Sequence, residues 1–423
     1  MTDILVRNVP EHIVKWIGDG VRKSGVSKNR FINEALKIVY NQKQNPSLFA
    51  GGQPSVLMQP DSLPFKFIDL FAGIGGFRSA LSKLGGRCVF SSEYDKYSRK
   101  TYCAWYNEND EDVWGDINLL EKDDQIRNAI PDHDILAAGF PCQPFSLAGV
   151  SKKKSLGRKH GFEDEKQGNL FFKIAQIVKV KRPPVLFLEN VKNLRSHDKG
   201  NTWEVIHGTL EDLGYHVFDK TIDAADWVPQ HRERIIIVCF DKETFGKRVD
   251  FSYPQPPKGK RPVLGDILQK EYEQNYVLTN HLWKYLQDYA EKHRLKGNGF
   301  GFGLVGPEDQ ARTLSARYHK DGSEILIKAP KNGHRSVTDP ARTKTNPRRL
   351  TPREAALLMG FTDEMAKLFG HEHGFPQVVS DTQAYRQFGN AVVVSVIEAV
   401  GRQIIPVMAD YLKNSSGKCL LKA

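Results

Sequence analysis

Cysteine is scarce and ungrouped in this chain. Cys88, Cys103, Cys142, Cys239 and Cys419 are spread over 423 residues with no Cys-x-x-Cys among them. The odd count argues against a disulfide framework and the spacing argues against zinc, so no metal is expected. No apolar run approaches the ~18 residues of a membrane span, and no membrane partner is expected. The start, Met1-Thr2-Asp3-Ile4, lacks the charged and apolar regions of a secretory leader. These absences together predict a cytoplasmic protein. Acidic residues are also in short supply, 50 against 61 Lys and Arg, which leaves a net charge of +11. In other respects the composition is that of a soluble globular chain long enough for two or three domains.

The excess of cations is uneven. From Lys258 to Arg353, 19 Lys and Arg stand against 10 Asp and Glu. Such a block points to a polyanion partner, most simply nucleic acid. A solvated basic surface is the alternative.

Residues 1–42 read as a unit of their own. A short β-like run ends at Pro10, a helix follows from Glu11 to about Lys23, and Ser27 caps a second helix reaching about Tyr40. Strand, helix, helix in about forty residues resembles a ribbon-helix-helix module, a family of intertwined dimers whose paired strands enter the DNA major groove. That resemblance implies a homodimer through residues 1–42; a helical extension packed on the main body is the other reading. Residues 43–64 are rich in Pro, Gly and polar residues and read as a linker. From Phe65 a strand–turn–helix rhythm begins, with apolar strands expected at 65–71, 88–91, 135–138, 185–188 and 235–240. The alternation predicts an α/β fold with a doubly wound, parallel, Rossmann-like sheet over 65–250. Residues 251–345 break the rhythm with Gly, Pro and short polar turns, and an isolated helix is expected near 281–291. Helical periodicity returns at 351–359 and 390–412, so 346–412 reads as a segment returning to the first domain.

The first strand runs into Phe71-Ala72-Gly73-Ile74-Gly75-Gly76-Phe77, a glycine turn before a helix. Glycines there let a ligand approach the backbone closely. The next strand ends in Glu93-Tyr94, some twenty residues on, where a Rossmann-like fold places an acid for ribose hydroxyls. Asp116, followed by Ile117, is placed to bond an adenine amino group. Without a full phosphate cradle, an adenosyl ligand lacking phosphates fits better than NAD, and S-adenosylmethionine is such a ligand.

The third apolar run leads into Gly139-Phe140-Pro141-Cys142-Gln143-Pro144-Phe145-Ser146. Pro141 holds the backbone extended just before the thiol, which puts Cys142 at the mouth of a strand. A lone Cys is more often a buried small hydrophobe than a nucleophile. Its company changes that reading. Glu189-Asn190-Val191, Gln230-His231-Arg232-Glu233-Arg234, Arg348-Arg349-Leu350-Thr351-Pro352-Arg353-Glu354 and Gln387-Phe388-Gly389-Asn390-Ala391-Val392 follow in order. With these motifs, residues 65–400 resemble the cytosine-C5 DNA methyltransferases.

The resemblance implies a nucleophilic Cys142, Glu189 acting at cytosine N3, and Arg232 and Arg234 holding the base and Glu189. It adds Pro141, Leu170, Asn390, Ala391 and Val392 to the cofactor site. It makes residues 143–168 a closing lid with Ser146 on a phosphate, and residues 251–345 a target-recognition domain. Gln230, Arg312, Arg317 and Arg348 are the expected DNA contacts. Double-stranded DNA is the implied partner, with the target cytosine flipped out of the helix, and the setting is a bacterial cytoplasm on the nucleoid. The target segment resembles the Dcm-like group most, which implies CCWGG or CCNGG sites and the protective role in restriction-modification. A transcriptional repressor led by residues 1–42 and a tRNA cytosine methyltransferase are the competing readings. An amino-methyltransferase would need an (Asp/Asn)-Pro-Pro-aromatic loop, and the sequence has none.

Overall fold

The computed structural model describes residues 65–141, 170–298 and 301–420, the last seven as backbone only. The expected ribbon-helix-helix module, the linker, Cys142, Ser146 and the expected lid lie outside these residues.

The order of elements is β1 (Phe65–Leu70), α1 (Gly76–Lys83), β2 (Gly86–Ser92), α2 (Lys96–Tyr106), α3 (Asp123–Ala129), β3 (Ile135–Gly139), α4 (Leu170–Lys181), β4 (Val185–Val191), α5 (Asn201–Asp212), β5 (Tyr215–Asp223) and β6 (Glu233–Asp241). They build a six-stranded sheet in the order β2-β1-β3-β4-β6-β5. Its first four strands are parallel. Their near-continuous apolar runs follow from burial on both faces. Phe65, Phe67, Ile135, Ala137, Val185 and Phe187 enter one core, and Ile68, Leu70, Leu136, Ala138, Leu186 and Leu188 the other. Asp69 is the exception inside β1. Its carboxyl is buried, and burial pushes its pKa well above the usual carboxylate range, with Arg78 countering the rise.

The expectation of a wholly parallel sheet is corrected at its far edge. β6 runs antiparallel to both β4 and β5. β5 was not expected at all, because Tyr-His-Val-Phe-Asp-Lys-Thr-Ile-Asp is a half-exposed edge strand without an apolar run.

Beyond β6 come α6 (Lys242–Phe245), α7 (Asn280–Leu295), the parallel pair β7 (Leu304–Val305) and β8 (Leu326–Ile327), α8 (Pro352–Leu358), α9 (Asp363–Leu368), α10 (Asp381–Asn390) and α11 (Val394–Leu420). Thr351 opens α8 with a capping box to Glu354, the reciprocal bond that Thr-x-x-Glu encodes. A helix was expected to begin at Asn390. That residue instead closes α10, Ala391 is extended, and α11 begins at Val394. One 18-residue window of the 381–413 segment is apolar enough for a membrane span by length and composition, which the count of unbroken apolar runs missed; half of that window is buried inside the protein.

The 251–345 segment has little core of its own. Among its described residues, only Leu278, Leu286 and Leu326 form a separate buried cluster. Leu264, Leu314, Tyr318, Ile325 and Ile327 instead join the core shared with the sheet and the C-terminal helices.

Candidate functional site

The carboxyl ends of β1, β2, β3 and β4 meet at one edge, and the strand order reverses between β1 and β3. Open α/β sheets bind ligands in the crevice at such a switch point. The turn after β1 is built from left-handed backbone, with φ of 55° at Phe71, 57° at Gly73 and 85° at Gly75. A Cβ on Gly73 would meet nothing within 4 Å, so the turn faces open space there. The Gly73 N–H donates to Glu93 Oε2 at 2.7 Å, and the Asp95 N–H donates to Oε1 at 2.7 Å. Each carboxylate oxygen keeps a second lone pair, so Glu93 can still accept from two hydroxyls. Burial raises the Glu93 pKa, and its backbone donors counter that rise. The Tyr94 ring beside it is 78% exposed, a free face for stacking.

Asp116 lies next to this edge because Trp114 bridges Ser92 and accepts from the Glu93 N–H at 2.9 Å. Its side chain accepts from Asn118 N at 2.9 Å. The Ile117 side chain is packed in the core, and its carbonyl accepts the Leu120 N–H at 3.2 Å. Pro141 is exposed at the end of β3, and Leu170 opens α4 against the same core. Ala391 and Val392 are buried, with Val392 touching Gly76 and lying near Gly139, whereas Asn390 is exposed. The open turn, the spare lone pairs and the exposed ring fit an adenosyl group without phosphates.

Gly139 of β3 pairs with Glu189 of β4, and Cys142 follows Gly139 by three residues. The Asn190 Nδ2 donates to the Phe140 carbonyl at 2.9 Å, tying the approach to Cys142 onto β4. Asn190 was not expected in this role; an amide at a strand end beside a carboxyl is the signal that could have found it. Glu189 is buried, and the Arg234 Nε lies 3.1 Å from its Oε1. Burial raises the Glu189 pKa, while Arg234 and then Arg232 restrain the rise.

Arg232 does not hydrogen-bond Glu189. Its guanidinium donates to the carbonyls of Leu314 at 2.9 Å, Gly389 at 3.0 Å and Ala391 at 2.8 Å. Burial, with Arg234 beside it, pushes its pKa down to about 9. Arg232 therefore clamps two later segments to the sheet.

Two expected DNA contacts are likewise interior struts. Gln230 is 0% exposed. It donates to the Leu358 carbonyl at 3.3 Å and accepts from the Leu314 N–H at 2.7 Å. Arg348 makes a bidentate pair with Glu354 at 2.7 and 2.8 Å and lies over the Tyr272 ring. Neither side chain is available to DNA without unfolding its surroundings. Arg312 and Arg317 are exposed. Among the described residues no cluster of three or more His, Cys, Asp or Glu side chains could hold a metal ion.

A family model described as C-5 cytosine-specific DNA methylase matches residues 65–406. The DNA-cytosine methyltransferase of Escherichia coli K12 is 47% identical over 374 residues, covering 81% of this chain and 78% of that protein. The type II methyltransferase M.DsaV of Dactylococcopsis salina is 46% identical over 342 residues, covering 80% and 86%. Among solved structures, the Dnmt2 methyltransferase of S. pombe superposes with a TM-score of 0.59 at 16% identity, covering 82% of this chain and 99% of that one, a likeness of fold alone.

Proposed function

The chain belongs to the C-5 cytosine-specific DNA methylases and is a DNA cytosine methyltransferase, and from that premise we propose that it methylates a cytosine flipped out of duplex DNA by covalent catalysis from Cys142. Cytosine C5 is a poor nucleophile until a thiolate adds to C6. The observation that carries this reading is the pairing of Gly139 with Glu189, which sets a buried carboxyl beside the strand end that leads to Cys142. The Cys142 thiolate forms the bond to C6 while Glu189 donates a hydrogen bond or proton to N3. Arg234 fixes the Glu189 carboxyl by a charge-assisted contact. S-adenosylmethionine, held by the Phe71–Gly75 turn with Ile74, by Glu93, Tyr94, Asp116 and Ile117, and by Pro141, Leu170 and the 390–392 turn, supplies the electrophilic methyl group for C5. Loss of the C5 proton then restores the ring and expels the Cys142 thiolate.

Cys142→Ser tests this directly. Methyl transfer is expected to vanish, S-adenosylmethionine binding to persist, and no covalent complex to form on DNA carrying 5-fluorocytosine. Continued methylation by the variant would sink the mechanism.

Residues 251–345 serve as the target-recognition segment, on the strength of their cation excess and of Arg312 and Arg317 standing exposed. The type II methyltransferases among the relatives favour the protective half of a restriction-modification system acting in the bacterial cytoplasm on nucleoid DNA. The resemblance of residues 251–345 to the Dcm-like group favours a CCWGG or CCNGG target. The N-terminal module adds homodimerisation and binding of the enzyme's own operator.

A further inference from the structure

Between α1 and α2 lies a buried polar chain whose direction is forced. Trp105 Nε1 donates to Ser79 Oγ at 3.0 Å, Ser79 Oγ and Tyr106 Oη are 2.7 Å apart, and Tyr106 Oη lies 2.5 Å from the Gly75 carbonyl oxygen. An indole N–H can only donate and a carbonyl can only accept. The Ser79 proton therefore points to Tyr106, and the Tyr106 proton to Gly75. The same carbonyl also accepts the Ser79 N–H at 2.9 Å, the first bond of α1.

The Tyr106 ring acts on Gly75 a second time. A Cβ on Gly75 would lie 2.4 Å from Tyr106 Cε2, so the ring fills the side-chain space of that residue. The ring is itself held. The Arg78 guanidinium sits 4.0 Å from its centroid and is fixed by two 2.7 Å bonds to Glu108. Gly75 ends the turn whose other side, at Gly73, is tied to Glu93. Tyr106 and Glu93 thus grip the turn from opposite flanks.

We propose that Tyr106 is a positioning residue for the cofactor turn, its hydroxyl and ring fixing the Gly75 peptide and so the open face at Gly73 where the sulfonium nucleoside binds. This rests on reading the turn as the S-adenosylmethionine site. Removing the hydroxyl leaves the ring in place but takes one of the two donors from the Gly75 carbonyl, which keeps the Ser79 N–H, and leaves the Ser79 proton without its acceptor. The turn then samples other geometries before ligand arrives, and affinity falls by the fraction lost.

The test compares wild type, Tyr106→Phe, Ser79→Ala and Thr101→Val as full-length enzymes. Thr101 is also on α2, but its buried bond, 3.0 Å to Gln387 Oε1, lies away from the turn. Tyr106→Phe is expected to raise the Kd and KM for S-adenosylmethionine by about tenfold, with kcat within about twofold and the KM for DNA unchanged. Ser79→Ala should move in the same direction by less, and Thr101→Val should lower Tm without moving the cofactor KM. An unchanged cofactor KM in Tyr106→Phe, or a rise that Thr101→Val matches at equal loss of Tm, overturns the positioning role. Failure of the wild-type protein to bind S-adenosylmethionine would instead overturn the cofactor reading on which the inference rests.

Discussion

A carboxyl buried at the end of β4 ionises reluctantly, and the proposed chemistry needs it neutral. Burial raises the Glu189 pKa and Arg234 restrains the rise. A raised acid is protonated below its shifted pKa and loses its proton as pH climbs through it, so kcat should fall on the alkaline side. Glu189→Gln cannot donate that proton; it should cost ~10²–10⁴-fold in kcat and abolish this limb of the profile while cofactor binding persists. A profile unchanged in the variant would remove Glu189 from the proton-transfer role. Glu93 gives a separate limb. Its pKa is also raised by burial, and an ionised carboxylate is the better acceptor for hydroxyls. Affinity for S-adenosylmethionine should therefore weaken as pH falls through that value, which calorimetry across the acid range would reveal.

The apolar strand ending at Glu189 and the glycine turn after β1 were legible as local patterns, whereas the roles expected of them rested on the resemblance and on the order of the motifs. The two arginines of Gln230-His231-Arg232-Glu233-Arg234 were not separable from sequence. Their i, i+2 spacing suggests one face of a strand, but β6 begins only at Glu233. Arg234 obeys strand alternation and reaches Glu189; Arg232 precedes the strand and turns to Leu314, Gly389 and Ala391. Gln230 and Arg348, expected on DNA, are buried among internal partners for a related reason. Their partners lie in segments whose placement no local pattern reports.

Among the elements, the contact between α10 and the target segment is the tightest fit at the site. A Cβ on Gly389 would lie 2.3 Å from the Ala316 nitrogen, against backbone that cannot yield. Gly389→Ala should lower stability by about 1–3 kcal/mol, visible as a reduced Tm; an unaltered Tm would mean the two segments are not held this closely. Gln230→Ala should behave similarly, because it strands the buried Leu314 N–H at a cost of about 1–3 kcal/mol. Arg312→Ala should do the reverse. It should leave Tm alone, weaken DNA binding, and reduce the slope of log K against log salt by about one if its partner is a phosphate. β5 escaped notice because a half-exposed edge strand carries only weak alternation, and without it the antiparallel end of the sheet could not be seen.

At the scale of the whole molecule, the proposed functions divide between a catalytic body and the N-terminal residues. Deleting residues 1–60 should leave methylation intact and abolish operator binding and dimerisation; loss of all methylation would make the N-terminal residues part of the catalytic body. Sequence preference is proposed to lie in residues 251–345. Methylation rates on CCAGG, CCCGG and GGCC duplexes should favour the first two, and equal rates on all three would remove the proposed target. The α/β architecture was legible because it repeats, strand after strand. The dependence of residues 251–345 on a shared core was not, since composition reports how loop-rich a segment is but not what it leans on.

Arg232 gives this chain a clock. Its carbonyl acceptors lie 82, 157 and 159 residues further along the sequence. At roughly 5–20 residues per second, the cation emerges from the ribosome on the order of 8 to 30 seconds before its last acceptor. A nascent chain that has finished its sheet has made its reacting groups but still holds an unanswered charge beside them. Polypeptides ending before Gly389 should be cleared by proteases, whereas those reaching α11 should survive. Completion of synthesis, rather than arrival of DNA, is then the first event that makes the enzyme competent.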